Sequence, residues 1–180
     1  PFYASLEALL AASNGVAICS ENSNHAEHIA AAVKADRHVL CEKPIATSVT
    51  SALHVRDVVR AGTVVYMQSF PKRFDPISHE LKRIVDSGQL GRLHTARVRH
   101  GHYHGLDPEF RKQWYTDPVL GGGGALLDEG VHAADLLCWL FGVPQNVVAM
   151  VSSATLGLKV DDTAFAVFGY GSGMLAEIVS

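Results

Sequence analysis

The 180-residue chain carries 15 Lys and Arg against 18 Asp and Glu, a formal net charge of −3, and its basic residues are scattered singly, which excludes a basic stripe for a nucleic-acid backbone. Hydrophobic residues at 48% supply a sizeable core, while charged residues at 18% fall below the roughly 25% usual for globular domains, so part of the surface is expected to be covered by other protein. The longest apolar runs, such as Ala164 to Phe168, are far short of the roughly 20 residues needed to cross a bilayer, and the three cysteines sit in apolar surroundings, as reduced thiols of a cytoplasmic chain do.

Residues 5–12 place Leu6, Leu9 and Leu10 at helical spacing behind Ser5, and Val16 to Cys19 then reads as a short buried strand. The cycle repeats with a helix over 25–35 and a strand over His38 to Cys41, and again with a helix over 48–60 and a strand over Val64 to Met67. Strands apolar on both faces and separated by helices of about three turns are what a parallel sheet requires. After Pro71 the pattern changes. It gives a helix over 79–87, a long strand-like stretch over 93–103, a Pro, Asp and Gly-rich loop to Gly124, and a helix over 126–140. Strands over 147–152, 163–170 and 174–179 follow, with short turns that favour antiparallel pairing. The fold class is therefore α/β: the C-terminal half of a Rossmann-type parallel sheet (1–70), then part of an α+β domain with a mainly antiparallel open sheet (71–180). The chain opens on Pro1 and stops just after a strand-like stretch, so both ends are expected to be cuts in a longer protein.

The residues that can do chemistry stand where strands end. Glu42-Lys43-Pro44 follows the second strand, and ligands of open α/β sheets sit outside the carboxyl ends of strands. The tripeptide alone equally suits a solvated strand-to-helix turn. Ser20 to His25 follows the first strand likewise, and Ser20, Asn22 and His25 either cap the next helix or face a cofactor. Asp128 and His132 lie four apart on the helix over 126–140, where a carboxylate can hold an imidazole in one tautomer for general-base work. The four glycines at 121–124 let backbone approach a ligand closely.

In this order, Asn22-x-x-His25, His38 to Pro44, Arg73-Phe74-Asp75-Pro76, Gly88-Gln89-Leu90-Gly91 and the glycine-rich Asp128-x-x-x-His132 resemble the Gfo/Idh/MocA oxidoreductases over essentially the whole chain. The resemblance implies a Rossmann domain for NAD or NADP and a second domain whose open sheet makes a homo-oligomer interface. It implies hydride transfer between the cofactor and a sugar or polyol. Lys43, Asp128 and His132 then correspond to the family's lysine, its carboxylate partner and the histidine that accepts the hydroxyl proton, meeting around one alcohol. Ser20, Asn22, His25, Glu42, Lys43 and Pro44 fall where the family contacts its cofactor, and His102, Trp114 and Tyr115 where substrate is chosen. No metal is expected. The chain departs from the family at Glu21, where proline is frequent, and at Tyr115, where arginine is. The family's glycine-rich phosphate turn and the residue that selects NAD or NADP would lie upstream of Pro1. Two other classes remain open: a metal-dependent sugar isomerase or hydrolase using His100, His102 and His104 on one strand face with Asp128 and His132, and a non-catalytic regulator that keeps fold and cofactor.

Overall fold

Short polar side chains set where the helices of the first half begin. In the computed structural model, which describes residues 2–180, Ser5 accepts a hydrogen bond from Ala8 N at 3.2 Å at the start of α1 (Leu6–Ala11). Strand β1 (Gly15–Ile18), helix α2 (His25–Lys34) and strand β2 (His38–Cys41) follow. Ser48 then caps α3 (Val49–Ala61) through Ser51 N at 3.1 Å, and β3 spans Tyr66–Gln68. The three strands form a parallel sheet in the order β1-β2-β3. Ile18, Val39 and Cys41 on one face bury against Leu10, Ile29, Ala32 and Val55 of the helices. Fully burying an aliphatic side chain of this kind stabilises by about 1.5–3 kcal/mol.

The other face differs from the expectation of cover on both sides. Leu40, Val65 and Met67 are exposed on or beside the sheet, and α1 to α3 supply its packing on one side only. Strand β3 also starts later than the apolar run suggests, although Val65 still accepts from Val39 N at 2.9 Å.

In the second half, Asp75 caps α4 (Pro76–Asp86) through Ile77 N at 3.2 Å, with Pro76 in the first turn, where a missing N–H costs nothing. Strand β4 (Thr95–Arg99) precedes a loop of short 3₁₀ turns. A π-helix over Leu126–Gly130 then runs into α5 (Val131–Phe141). Strands β5 (Asn146–Ser152), β6 (Thr163–Gly169) and β7 (Leu175–Val179) complete a four-stranded sheet in the order β4-β7-β6-β5. Its pairs are antiparallel except β4 with β7, which is parallel. Ala166, Phe168, Ala176 and Ile178 pack against Ala133 and Leu137 of α5 to make the core.

Three local expectations differ from the observed structure. The strand expected over 93–103 ends at Arg99, the β5–β6 connection is a loop over 153–162 rather than a tight turn, and the helix expected over 126–140 opens with a π turn. Contacts divide the chain into two compact units, residues up to Ser69 with Val119–Gly122, and Phe70–Pro118 with Gly123–Ser180.

One ion pair ties the turn at Pro71–Phe74 to α5 in the second unit. Arg73 grips Asp135 through Nε at 2.9 and 3.1 Å and through an Nη at 2.8 Å. This hydrogen bond raises the arginine pKa above its ordinary value, and the Asp135 side chain is only 9% exposed. Arg73→Ala strands a buried carboxylate and is expected to cost about 1–3 kcal/mol, at the low end for a buried pair because the guanidinium itself is 41% exposed. Arg73→Lys should recover only part of this, since an ammonium cannot make the fork. Urea unfolding of the three proteins checks it.

Candidate active site

In the first unit, the loops after β1 and β2 are bound to each other by one imidazole. His25 is fully buried, with Nδ1 2.7 Å from the Pro44 carbonyl and Nε2 3.0 Å from the Ser20 carbonyl. It has no surface left for a ligand, so the cofactor contact expected of it is replaced by a positioning role: it fixes the backbone on both sides of a strand-end crevice. Asn22 is also buried and donates from Nδ2 to the Gly121 carbonyl at 2.9 Å, while Ser23 N donates to Leu120 O at 3.0 Å. Ser20 Oγ lies 3.1 Å from His28 Nδ1.

The exposed end of β2 carries the remaining groups. Glu42 accepts from Lys43 N at 3.2 Å and from Ser69 Oγ at 2.9 Å, and Gln68 Nε2 holds the Cys41 and Glu42 carbonyls at 3.0 and 2.7 Å. Lys43 is half-buried, Pro44 is buried, and the peptide bond between them is cis. Cys41 is no nucleophile: burial, then the Glu42 charge, pushes its thiol up to about 12. Gly122, at φ +79°, lies against Thr47, whose Cβ is 2.4 Å from where an added Cβ would stand, so side-chain-free backbone is required there.

In the second unit, Asp161 creates the π turn's start. Its carboxylate accepts from Gly124 N at 2.7 Å and Leu126 N at 2.8 Å, and its carbonyl accepts from Ala125 N at 2.8 Å. Three consecutive amides at a helix N-terminus are thus satisfied from a distant segment. The wider π turn alters the spacing of side chains that follow. The change from π to α helix falls between Asp128 and His132.

The π turn presents two successive carboxylates to the histidines beyond β4. His102 Nε2 is 3.9 Å from Asp128 Oδ2 and 3.6 Å from Glu129 Oε1, while the other Glu129 oxygen is 3.4 Å from His100 Nδ1. The His100 ring lies 5.5 Å from that of His132, which Phe70 meets edge-on at 6.3 Å. His132, His100, Glu129, His102 and Asp128 form one cluster. The expected shared strand face for His100, His102 and His104 is not formed, because β4 stops at Arg99 and His104 opens a 3₁₀ turn.

Sequence reasoning missed Glu129 and placed His100 only in the metal-dependent alternative. Glu129 follows Asp128 directly, and on a regular helix neighbours point about 100° apart, so no local signal paired them. The candidate substrate residues continue the cluster as a stack. Phe110 lies 5.8 Å from His102 and 5.5 Å from Tyr115, nearly parallel to the latter, and Trp114 stacks on Tyr115 at 3.8 Å. A cavity of about 100 Å³ opens beside them, lined by His102, Phe110, Asp128, Glu129, Leu156 and Val160 among others.

Comparison with known proteins assigns both units. Residues 1–70 match the oxidoreductase family described as an NAD-binding Rossmann fold, and residues 78–180 match the GFO/IDH/MocA C-terminal domain. Inositol 2-dehydrogenase 2 of Saccharopolyspora erythraea is 30% identical over 174 residues, covering 92% of this chain and 47% of that protein. D-xylose 1-dehydrogenase (NADP(+)) 2 of Haloferax volcanii is 31% identical over 180 residues, covering 99% and 54%. A levoglucosan dehydrogenase solved with NADH and levoglucosan superposes with a TM-score of 0.85 at 27% identity, over 92% of this chain and 47% of that one. The chain spans about half the length of the curated relatives it matches. With both of its units matched, it belongs to the Gfo/Idh/MocA family of NAD-binding oxidoreductases.

Proposed function

We propose that the full-length protein transfers hydride between NAD or NADP and a hydroxyl-bearing carbon of a sugar or polyol. The observation that carries this reading is the cluster in the second unit, where His132 stands with His100, Glu129, His102 and Asp128 beside a cavity flanked by aromatic rings. Polyhydroxylated substrates need many convergent hydrogen-bonding groups and a flat apolar surface, and this site offers both. The relatives bear the names of inositol, xylose and levoglucosan dehydrogenases.

In this proposal His132 takes the hydroxyl proton, Asp128 stabilises the charge that develops, and Lys43 donates a hydrogen bond that lowers the hydroxyl pKa. Hydride passes to the nicotinamide, and the chain's own part is placement and proton handling. Ser20, Asn22, Glu42 and Pro44 serve the cofactor side through the backbone that His25 fixes, and His102, Trp114 and Tyr115 serve the substrate side. The outer face of the second sheet supports assembly into a homo-oligomer: Val148, Met150, Phe165 and Val167 are 69%, 77%, 54% and 42% exposed on paired strands.

The test is nicotinamide reduction by the full-length protein with inositols, aldoses and anhydrosugars, using each dinucleotide. Lys43→Ala is expected to lower turnover of the best substrate at least ten-fold, the low side of the acid–base range. Wild-type turnover in that variant would reject the assignment.

A further inference from the structure

We propose that His102, Asp128 and Glu129 form a binding site for a first-row divalent cation, held more tightly as zinc than as manganese. One donor atom from each of the three lies within 4.8 Å of the others. The His102 Nε2 distances of 3.9 and 3.6 Å to the two carboxylates are too long for hydrogen bonds. They lie near the separation of two ligands on one cation: tetrahedral bonds of 2.0–2.2 Å hold neighbouring donors about 3.3–3.6 Å apart, so the Glu129 pair fits as it stands and the Asp128 pair closes by a few tenths of an ångström on loading. The imidazole therefore stands beyond hydrogen-bond distance of both carboxylates and near the spacing of donors that share one ion.

The π turn makes this possible. Adjacent residues of a regular helix point in different directions, whereas here Asp128 and Glu129 converge on one imidazole. The second Glu129 oxygen faces His100 Nδ1 at 3.4 Å, the side from which a ligating carboxylate can be steadied. Two other carboxylates of the cavity wall are already committed. Asp161 is spent on Gly124 N and Leu126 N, and Asp162 accepts from Leu156 N at 2.6 Å and Thr163 Oγ1 at 3.1 Å. The donor set is thus one imidazole and two carboxylates, with the remaining coordination positions open to the cavity. That mixture suits zinc or manganese better than magnesium or calcium, and the order of affinities favours zinc.

The cation is not needed for hydride transfer. By taking Asp128 it opposes the role proposed for that carboxylate, so loading should inhibit turnover and chelation should restore it. Binding is nevertheless read directly and does not depend on the dehydrogenase reading. Zinc is titrated into metal-free, full-length protein against a chromophoric indicator, with a manganese titration followed by electron paramagnetic resonance. One zinc per chain is expected, with affinity falling at least ten-fold in His102→Ala and in Glu129→Ala, and unchanged in His54→Ala on the exposed side of α3. Circular dichroism establishes that each variant is folded. If a variant is not folded, X-ray absorption of zinc-loaded wild-type protein decides instead: one imidazole nitrogen with oxygen donors supports the site, and two or more imidazoles or an all-water shell rejects it. The absence of stoichiometric zinc binding, or equal affinity in folded His102→Ala, overturns the proposal.

Discussion

Replacing His132 by alanine in the full-length protein is expected to lower turnover by about 10² to 10⁴-fold, the range supplied by a positioned general acid or base. The imidazole is set into place by Phe70 on one side and the His100 ring on the other, so its loss removes the proposed proton acceptor without removing a core side chain. His132→Asn should be as poor, because an amide keeps polarity but cannot take a proton. Both variants should lose kcat and kcat/KM together, as expected for a group that acts in the transition state, with KM little changed. Steady-state rates on the best substrate decide it, and an unchanged kcat in His132→Ala would remove this residue from the chemistry.

The largest expected effect on stability is at Gly124. A Cβ there would stand 1.8 Å from the Asp161 carbonyl oxygen and 2.7 Å from two further backbone atoms of that residue. No side-chain rotation relieves a clash with backbone. The backbone itself is immobilised by the bonds from Gly124, Ala125 and Leu126 to Asp161. Gly124→Ala should therefore cost more than about 4 kcal/mol, beyond the ordinary range for point substitutions, and release the π turn with its two carboxylates. Gly88→Ala is the control. Its φ of +71° is unfavourable for alanine, but nothing lies within 4 Å of the added methyl, so about 1–2 kcal/mol is expected. Chemical denaturation of both variants tests the contrast, and a Gly124→Ala protein as stable as the wild type would contradict the described geometry.

Much of the architecture was legible because its causes are local. Ser5 and Ser48 announce helix starts through their hydroxyls, the run from His38 to Cys41 is a strand end to end, and the alternation along Thr163–Gly169 separates Ala164, Ala166 and Phe168 from outward Phe165 and Val167. What was not legible has distant causes. The π turn is imposed by Asp161, far along the chain from Gly124, and nothing near Asp128 declares it. His25 looked like a ligand-facing residue because it opens a helix after a strand, yet its partners are carbonyls of two separate loops. Candidate site residues were read from the family pattern, but their mutual geometry around Glu129 had to come from the folded chain.

The Asp161 clamp also means that two regions of the second unit cannot be adjusted separately. The segment over 153–162 carries Leu156, Leu158 and Val160 into the cavity wall, and its last residues hold the amides that open the π turn. Ser180 Oγ, at the far end of the sheet, adds a bond to the Ala125 carbonyl at 2.9 Å. Room for a bulkier ligand is therefore coupled to the aim of Asp128 and Glu129. Enlarging the chamber by shifting this loop would retune the acidic pair, so specificity and chemistry in this half of the protein vary as a single trait.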